Sequence, residues 1–193
     1  MPFSFKRTAI HGVTIVEPRV FSDARGFFME TYRQSDFAAA GIPDDFVQEN
    51  QSKSIRGTLR GLHAQRAPKA QGKLVQAIEG EIFDVAVDGR LDSPSFGKWI
   101  GIVLSDTNRR SVYVPPGCLH GFCVMSQEAR VIYRTTVEYE PALEFGIRWD
   151  DPLLSIAWPV ADPVLSARDQ HWPSFTELFV GEPARVSTQP SLR

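Results

Sequence analysis

One stretch, residues 59–75 (LRGLHAQRAPKAQGKLV), brings together residue types that could do chemistry. His63 is a candidate general base, and Arg60 and Lys73 are cations that could hold a phosphate or stabilise an oxyanion. A proline and a glycine between them interrupt a strand-like pattern that resumes at Lys73, which predicts a hairpin-like return. The stretch is then either a catalytic floor or a surface hairpin with solvated charges, and the residue types alone do not decide between the two.

A histidine acts as a base near neutral pH when a carboxylate fixes its tautomer and stabilises its cation. Two acids are candidates for that partner of His63, namely Asp169 in a C-terminal segment and Asp84 in a strand-like run. Tyr133 could supply a proton, although core packing explains a lone tyrosine on a strand at least as well. A base, an acid and the Lys73 cation together would suit removal of a proton next to a carbonyl group.

The segment PPGCLHGF, residues 115–122, contains the pattern P-x-G-x-x-H. It resembles the second signature of the cupins, which are small β-barrels of the jelly-roll type. In metal-binding cupins this histidine joins an H-x-H pair, but the corresponding place here reads His63-Ala-Gln65. Zinc, iron and manganese sites need three or more matched ligands, so we expect no metal cofactor. Cys118 and Cys123 cannot complete a zinc site by themselves, and we expect them to be reduced thiols.

The elements that must position these groups are predicted to be mainly strands, because the apolar runs are short and rich in β-branched residues. We place strands near residues 46–54, 57–63, 73–79, 81–88, 97–104, 111–115, 121–126 and 129–139. Their regular spacing indicates a sandwich or barrel. Within the fourth of these strands, alternation puts Phe83, Val85 and Val87 on one face and Asp84 and Asp88 on the other.

The remaining architecture is predicted from punctuation and length. One helix is expected at 34–40, with Ser35 as its N-cap and Gly41 at its end. Proline-punctuated segments between residues 149 and 169 predict a cap folded back on the barrel. The 193 residues suffice for one domain with a sizeable core, which we place at 1–180, followed by a disordered tail at 181–193.

Charge and hydropathy bound the partners. A net charge of −2 gives no global attraction to nucleic acid or to acidic membranes, so any bound anion must be held by a local cluster of cations. No apolar run approaches the ~20 residues that span a bilayer, and no basic-then-apolar leader opens the sequence. We therefore predict a cytoplasmic protein that binds neither nucleic acid nor membrane.

A series of short motifs, present in a fixed order along the chain, gives more specific information about the family. It comprises DARGFFME (23–30), QENQSKS (48–54), LRGLH (59–63), QGKLV (71–75), FDVAVD (83–88), SPSFG (93–97), PGCLHGF (116–122), Tyr133, WDDP (149–152), WP (158–159) and LSARD (165–169). Together they resemble the dTDP-4-dehydrorhamnose 3,5-epimerase family of the cupin superfamily, from about residue 3 to residue 180. The resemblance implies a mainly all-β, cupin-type jelly-roll barrel with a few short helices. It also implies a homodimer that needs no cofactor.

The resemblance further implies an activity and a role for each site residue. The expected reaction is inversion of C3 and C5 of dTDP-4-dehydro-6-deoxy-D-glucose through enolate intermediates, as part of dTDP-L-rhamnose synthesis. His63 would take the α-proton, Asp169 would orient it, Lys73 would support the enolate oxygen, and Tyr133 would return a proton on the opposite face. Residues expected to bind substrate, with Phe27 as an alternative to Phe28 beside thymine, are Arg25, Phe28, Glu30, Gln48, Asn50, Arg60, His120, Tyr139, Glu144 and Arg168.

Three other functions stay open on the sequence. A member of this group could invert one centre only, at C3 or at C5. From a different class, a non-catalytic cupin could bind a nucleotide sugar as a sensor, although a sensor has no need of an acid facing a base. A metal-dependent cupin oxygenase is opposed by Gln65.

Overall fold

The computed structural model describes residues 2–42 and 45–179, so the tail predicted at 181–193 lies outside the described residues. The strands are β1 Phe3–Arg7, β2 Thr14–Pro18, β3 Val20–Asp23, β4 Gly26–Met29, β5 Gln48–Ile55, β6 Leu59–Gln65, β7 Lys73–Glu79, β8 Glu81–Asp88, β9 Trp99–Ser105, β10 Ser111–Val114, β11 Cys118–Val124, β12 Glu128–Thr135 and β13 Glu144–Gly146. The helices are α1 Gln34–Ala39, a 3₁₀ turn Pro141–Leu143 and α2 Phe175–Phe179. The prediction of a mainly all-β chain with a few short helices is confirmed.

The strands form two antiparallel sheets and a separate hairpin. The first sheet has the order β1-β2-β10-β7-β12-β5, and the second has the order β13-β6-β11-β8-β9. Among the described residues, strands β3 and β4 pair only with each other. The eight strands predicted between residues 46 and 139 correspond one to one to β5–β12.

One sequence prediction about connectivity is wrong. Strands β6 and β7 were expected to form a hairpin-like return, but β6 pairs with β11 and β13 while β7 pairs with β10 and β12. The segment between them crosses from one sheet to the other. His63 and Lys73 therefore come from facing sheets.

The core lies between the two sheets and is filled by alternate side chains of both. Ile82 and Ala86 of β8 pack there against apolar residues of β7, β10 and β12. The intervening residues Val85 and Val87 pack on the outer side, in a cluster that includes Phe175 of α2. The predicted two-residue alternation of this strand is confirmed, and it leaves Asp84 pointing inward with 1% of its surface exposed.

The short helix α1 covers part of the outer face of the first sheet. Its buried Phe37 packs edge-on against Phe3 and Phe5 of β1. The prediction of Ser35 as the N-cap is wrong, because Ser35 lies inside the helix, which begins at Gln34, and Arg33 is the cap position, without a side-chain capping bond. Within the described residues no helix is long and apolar enough to cross a membrane.

The predicted cap is confirmed. Residues 164–169 return to the start of β6, where the Leu59 amide donates to the Val164 carbonyl at 3.0 Å and the Val164 amide donates to the Gly57 carbonyl at 2.9 Å. Both contacts use backbone groups only. They fix the segment that carries Asp169 at one end of the space between the sheets.

Candidate active site

A cavity of about 710 Å³ opens between the two sheets and is bordered by the cap segment 164–169. Eleven of the fourteen site residues predicted from the sequence line it. They are Gln48, Asn50, Arg60, His63, Lys73, His120, Tyr133, Tyr139, Glu144, Arg168 and Asp169.

A bulge in β6 puts Arg60 and His63 on the same side of the strand. Residues three apart on a regular strand point to opposite faces. Here His63 pairs with His120 and Arg60 pairs with Phe122, so β6 has one residue more than β11 between these two pairs. Both side chains consequently face the cavity.

The bulge depends on a very close approach of two backbones. Gly61 has a φ of +119°, and a Cβ built on it would lie 2.5 Å from the Cα of Gly121 in β11. Only glycine has room at this position. His63 is therefore positioned where the backbones of β6 and β11 are in direct contact.

His63 forms a hydrogen-bonded pair with Asp169 through its Nε2 atom. Burial of Asp169 would raise the pKa of its carboxyl, but hydrogen bonds from His63, Ser166 and Trp172 outweigh burial and the pKa is lowered. An ionised carboxylate only accepts hydrogen bonds, so Nε2 carries the proton of the neutral imidazole. The free lone pair of His63 is then on Nδ1.

The carboxylate of Asp169 is itself held in place. The Ser166 hydroxyl donates to Oδ2 at 2.8 Å, and the Asp169 amide donates back to the Ser166 hydroxyl at 3.1 Å. A carboxylate fixed in this way keeps the imidazole in one orientation. Of the two acids considered from the sequence, Asp169 is the partner of His63.

Asp84, the other acid, pairs with the second histidine of the cavity. Its Oδ2 lies 2.8 Å from Nε2 of His120, and both residues are buried. Its Oδ1 is buried without a hydrogen-bond partner among the described residues. The two histidines that line the cavity are cross-strand partners, and each is paired with an aspartate.

Lys73 begins β7 and brings a cation into the cavity from the first sheet. Burial lowers the pKa of its ammonium to about 8, although Glu144 and Asp84 act to raise it. Its Nζ lies 3.5 Å from the carbonyl oxygen of His63. At neutral pH Lys73 is therefore mostly charged and poorly hydrated, which suits an oxyanion partner.

Tyr133 projects into the cavity from β12, also in the first sheet. Burial raises the pKa of its hydroxyl, and Glu144 and Tyr139 act in the same direction while Arg60 opposes them. The hydroxyl is thus protonated at neutral pH and can donate. Because His63 belongs to the second sheet, the imidazole and the tyrosine hydroxyl lie on facing walls of the cavity.

A polar group forms the outer part of the cavity. The Tyr139 hydroxyl donates to Oε2 of Glu144 at 2.8 Å, and Arg168 contacts both Glu144 and the Tyr139 oxygen. The Tyr139 amide donates to Gln48 at 2.8 Å, and Gln48 in turn donates to Asn50. These contacts link β5, β13 and the cap across the cavity mouth.

Three predicted binding residues do not line the cavity of their own chain. Arg25, at the β3–β4 turn, bonds to Asp23, and its side chain is 90% exposed. Phe28, in β4, is 66% exposed, and Glu30 pairs with Arg33. A single chain thus does not unite them with the other eleven residues, and their role in binding remains a prediction.

Gln65 occupies the place where metal cupins have a second histidine. Its amide nitrogen donates to the Lys69 carbonyl at 2.6 Å, and its oxygen accepts from the Glu140 amide at 2.9 Å. The side chain thus fastens two loops at the cavity edge. In residues 2–42 and 45–179 no three His, Cys, Asp or Glu side chains cluster as a metal site.

Two contributors to the site were not singled out from the sequence. Ser166 lies three residues before Asp169, a spacing typical of a side chain that caps a turn, and this signal was available. Trp172 donates its indole N–H to Oδ1 of Asp169 at 3.3 Å. No local pattern marks Trp172, because its contacts arise only when the cap folds onto β6.

The chain is similar to known proteins along most of its length. A family model described as dTDP-4-dehydrorhamnose 3,5-epimerase matches residues 7–177. The chain is 51% identical over 172 residues to the dTDP-4-dehydrorhamnose 3,5-epimerase of Shigella flexneri. The aligned region covers 89% of this chain and 95% of that protein. The chain is 44% identical over 162 residues to the dTDP-4-dehydrorhamnose 3-epimerase of Streptomyces niveus, covering 83% and 78%.

Among solved structures, the chain is similar to the dTDP-6-deoxy-D-glucose-3,5-epimerase of Legionella pneumophila in complex with dTDP-4-keto-L-rhamnose. The TM-score is 0.87 at 44% identity, with 90% of this chain and 93% of that chain covered. This likeness confirms the predicted cupin-type jelly-roll fold.

Proposed function

Since this chain belongs to the dTDP-4-dehydrorhamnose 3,5-epimerase family, we propose that its cavity inverts the two carbons that flank the ketone of a dTDP-linked 6-deoxyhexose. The enzyme is an isomerase that converts dTDP-4-dehydro-6-deoxy-D-glucose to dTDP-4-dehydro-L-rhamnose in dTDP-L-rhamnose synthesis. The observation that carries the assignment of roles is the placement of a histidine–carboxylate pair and a tyrosine hydroxyl on facing walls of one cavity.

The chemistry follows from the acidity of hydrogens next to a carbonyl. Nδ1 of His63 removes the proton from C3 or C5, and the electron pair moves through the carbon–carbon bond onto the C4 oxygen. The Lys73 ammonium stabilises that enolate oxygen, with His120 beside it. The enolate then collapses as Tyr133 gives its proton to the opposite face of the same carbon. A proton from solvent restores the tyrosine, while His63 releases its own.

The nucleotide part of the substrate fits the cations and amides at the cavity edge. Nε of Arg60 donates to the Ser54 hydroxyl at 3.1 Å, which fixes the orientation of the guanidinium. This bond leaves the two terminal nitrogens for other partners. A planar, always charged guanidinium is well matched to a diphosphate. Gln48 and Asn50 of β5 line the same cavity and present amides to the rest of the nucleotide.

One specific observation supports a second candidate, epimerisation at a single centre. The similar protein from Streptomyces niveus is described as a 3-epimerase. The proton-removing groups are common to both reactions, so the difference must lie in whether Tyr133 can reach both carbons.

The function is tested by incubating the enzyme with dTDP-4-dehydro-6-deoxy-D-glucose in D₂O and following each carbon by NMR. We expect deuterium at both C3 and C5 and the L-rhamno product. Deuterium at only one of these carbons would establish the single-centre reaction. Binding without any exchange would refute the epimerase proposal and favour a sensor.

We also propose that the β3–β4 hairpin serves the cavity of a second copy of the chain in a homodimer. The hairpin pairs with no other strand in the part of the chain that the structure describes, and it leaves Phe21, Phe27 and Phe28 exposed. Three large exposed aromatic residues on one small element indicate a contact surface. The same hairpin carries Arg25, whose only described hydrogen bonds are to the neighbouring Asp23.

The hairpin proposal predicts the behaviour of a mixed dimer. Arg25→Ala and Arg60→Ala chains, each with its own affinity tag, are co-expressed, and the heterodimer is purified. If the hairpin crosses over, one of its two sites has both arginines and the other has neither. We expect about half of the wild-type activity, whereas either homodimer binds dTDP about 10–100-fold more weakly. A heterodimer no better than the homodimers would show that the hairpin does not cross, and a monomeric wild-type protein would refute the dimer.

A further inference from the structure

Trp172 lies behind the His63–Asp169 pair and does not belong to the described side chains that line the cavity. Its ring centroid is 5.8 Å from that of His63, with the rings inclined at 62° in an edge-to-face contact. Its indole N–H donates to Oδ1 of Asp169 at 3.3 Å. This is the same oxygen that Nε2 of His63 contacts.

The indole of Trp172 packs directly against the backbone of β13. A Cβ built on Gly146 would lie 2.7 Å from both Cδ2 and Cε2 of Trp172, so the ring rests directly on the glycine. Gly146 is the cross-strand partner of His63. Trp172 is therefore wedged between the strand next to His63, the His63 ring and the Asp169 carboxylate.

We propose that Trp172 is a positioning residue for the general base, which it serves by packing against the His63 ring and sharing Asp169 Oδ1 with it. The inference rests on the proposed function, in which His63 takes the α-proton. Trp172 acts through His63 and Asp169, since it does not line the space where substrate lies.

Sharing the carboxylate oxygen also couples Trp172 to the charge of Asp169, whose pKa the indole hydrogen bond helps to lower. A hydrogen bond from the indole neutralises part of the carboxylate charge, so Asp169 stabilises the imidazolium less than it otherwise would. The other charged or titratable side chains that line the cavity with the pair are Arg60, Lys73, His120, Tyr133, Tyr139, Glu144 and Arg168.

The test compares Trp172→Phe with a matched control, Trp158→Phe. Phenylalanine leaves an aromatic ring at the position and removes the N–H donor together with part of the indole, and Trp158→Phe makes the same change in bulk away from the site. Trp158 also donates its indole N–H, at 2.8 Å, but to the Trp149 carbonyl, outside the cavity. The pKa of His63 is read from its imidazole protons by NMR, which is practical because the chain has four histidines.

We expect the pKa of His63 to rise by about half a unit in Trp172→Phe, because one long hydrogen bond to a charged group is lost. The neutral base then exists only at higher pH, so the acidic limb of the kcat/KM profile moves upward by the same amount. Trp158→Phe should move neither. In Trp172→Ala the ring contact is also lost, and we expect kcat to fall roughly tenfold with KM little changed.

The proposal is wrong if Trp172→Phe and Trp158→Phe give the same His63 pKa and the same pH profile. A second measurement needs no variant of the site: 5-fluorotryptophan is incorporated at all four tryptophans, and one fluorine must titrate with the pKa of His63. If none does, the contact is absent and the proposal fails. A shifted His63 pKa in an enzyme that exchanges no deuterium would instead uphold the coupling and refute the proposed function.

Discussion

Replacing His63 with alanine is expected to stop deuterium exchange at both C3 and C5. Nδ1 of His63 carries the free lone pair of an imidazole that a buried carboxylate orients. The second histidine, His120, is already hydrogen-bonded to Asp84. General-base catalysis contributes roughly 10²–10⁴-fold, and we expect a loss at the upper end because both half-reactions start with this group. The measurement is NMR of the sugar carbons after incubation in D₂O.

His171→Ala is the matched control for this experiment. His171 lies two residues beyond Asp169 but is exposed, and its Nδ1 contacts the carbonyl of Ala167. Its loss should leave exchange unchanged. Near-native exchange in His63→Ala would contradict the assignment and point to His120 as the base. Binding of dTDP should be equal in all three proteins, which separates chemistry from folding.

The second large effect is expected for Tyr133→Phe, which keeps the ring and removes the proton donor. Enolisation needs the base and the Lys73 cation but not the acid, so deuterium exchange should persist. A single tyrosine can face His63 across one carbon more easily than across two. We therefore expect inversion at C5 to fall by roughly 10²–10⁴-fold, leaving sugar inverted at C3 alone or returned to its starting configuration.

The two carbons of one molecule act as each other's control in this variant. The ratio of exchange to inversion is read separately at C3 and at C5 from the same spectrum. Doubly inverted product at the wild-type rate would make Tyr133 a packing residue and place the acid elsewhere. Loss of exchange as well as inversion would mean that Tyr133 helps to form the enolate.

Much of the fold follows from short-range rules that act on this sequence. The two-residue alternation of β8 put Asp84 inside, and glycine and proline punctuation marked the turns between strands. What alternation cannot give is the register between strands, and register decides which histidine Asp84 meets. The crossing from β6 to β7 was also beyond reach, because a loop of the same composition can join two strands of one sheet or of two.

The site divides in the same way. His63, Lys73, Tyr133 and Asp169 could be named from residue types and motifs, since catalysis restricts them to a few kinds of side chain. Arg25, Phe28 and Glu30 could be named too, but a sequence does not say whether a residue serves its own chain or another copy. Trp172 escaped notice because an aromatic residue near a cap has no distinctive pattern until tertiary contacts form.

The glycines around His63 also bear on how such an enzyme diversifies. Gly61 and Gly146 admit no larger residue, because the backbone of β11 and the ring of Trp172 fill the space where a side chain would start. These two positions of the cavity floor are therefore expected to remain glycine. The cap is held to β6 by main-chain hydrogen bonds that are indifferent to side-chain identity. We therefore expect new sugar preferences to evolve through substitutions in the cap, other than at Ser166 and Asp169, and at the cavity mouth, while the backbone beneath His63 stays unchanged.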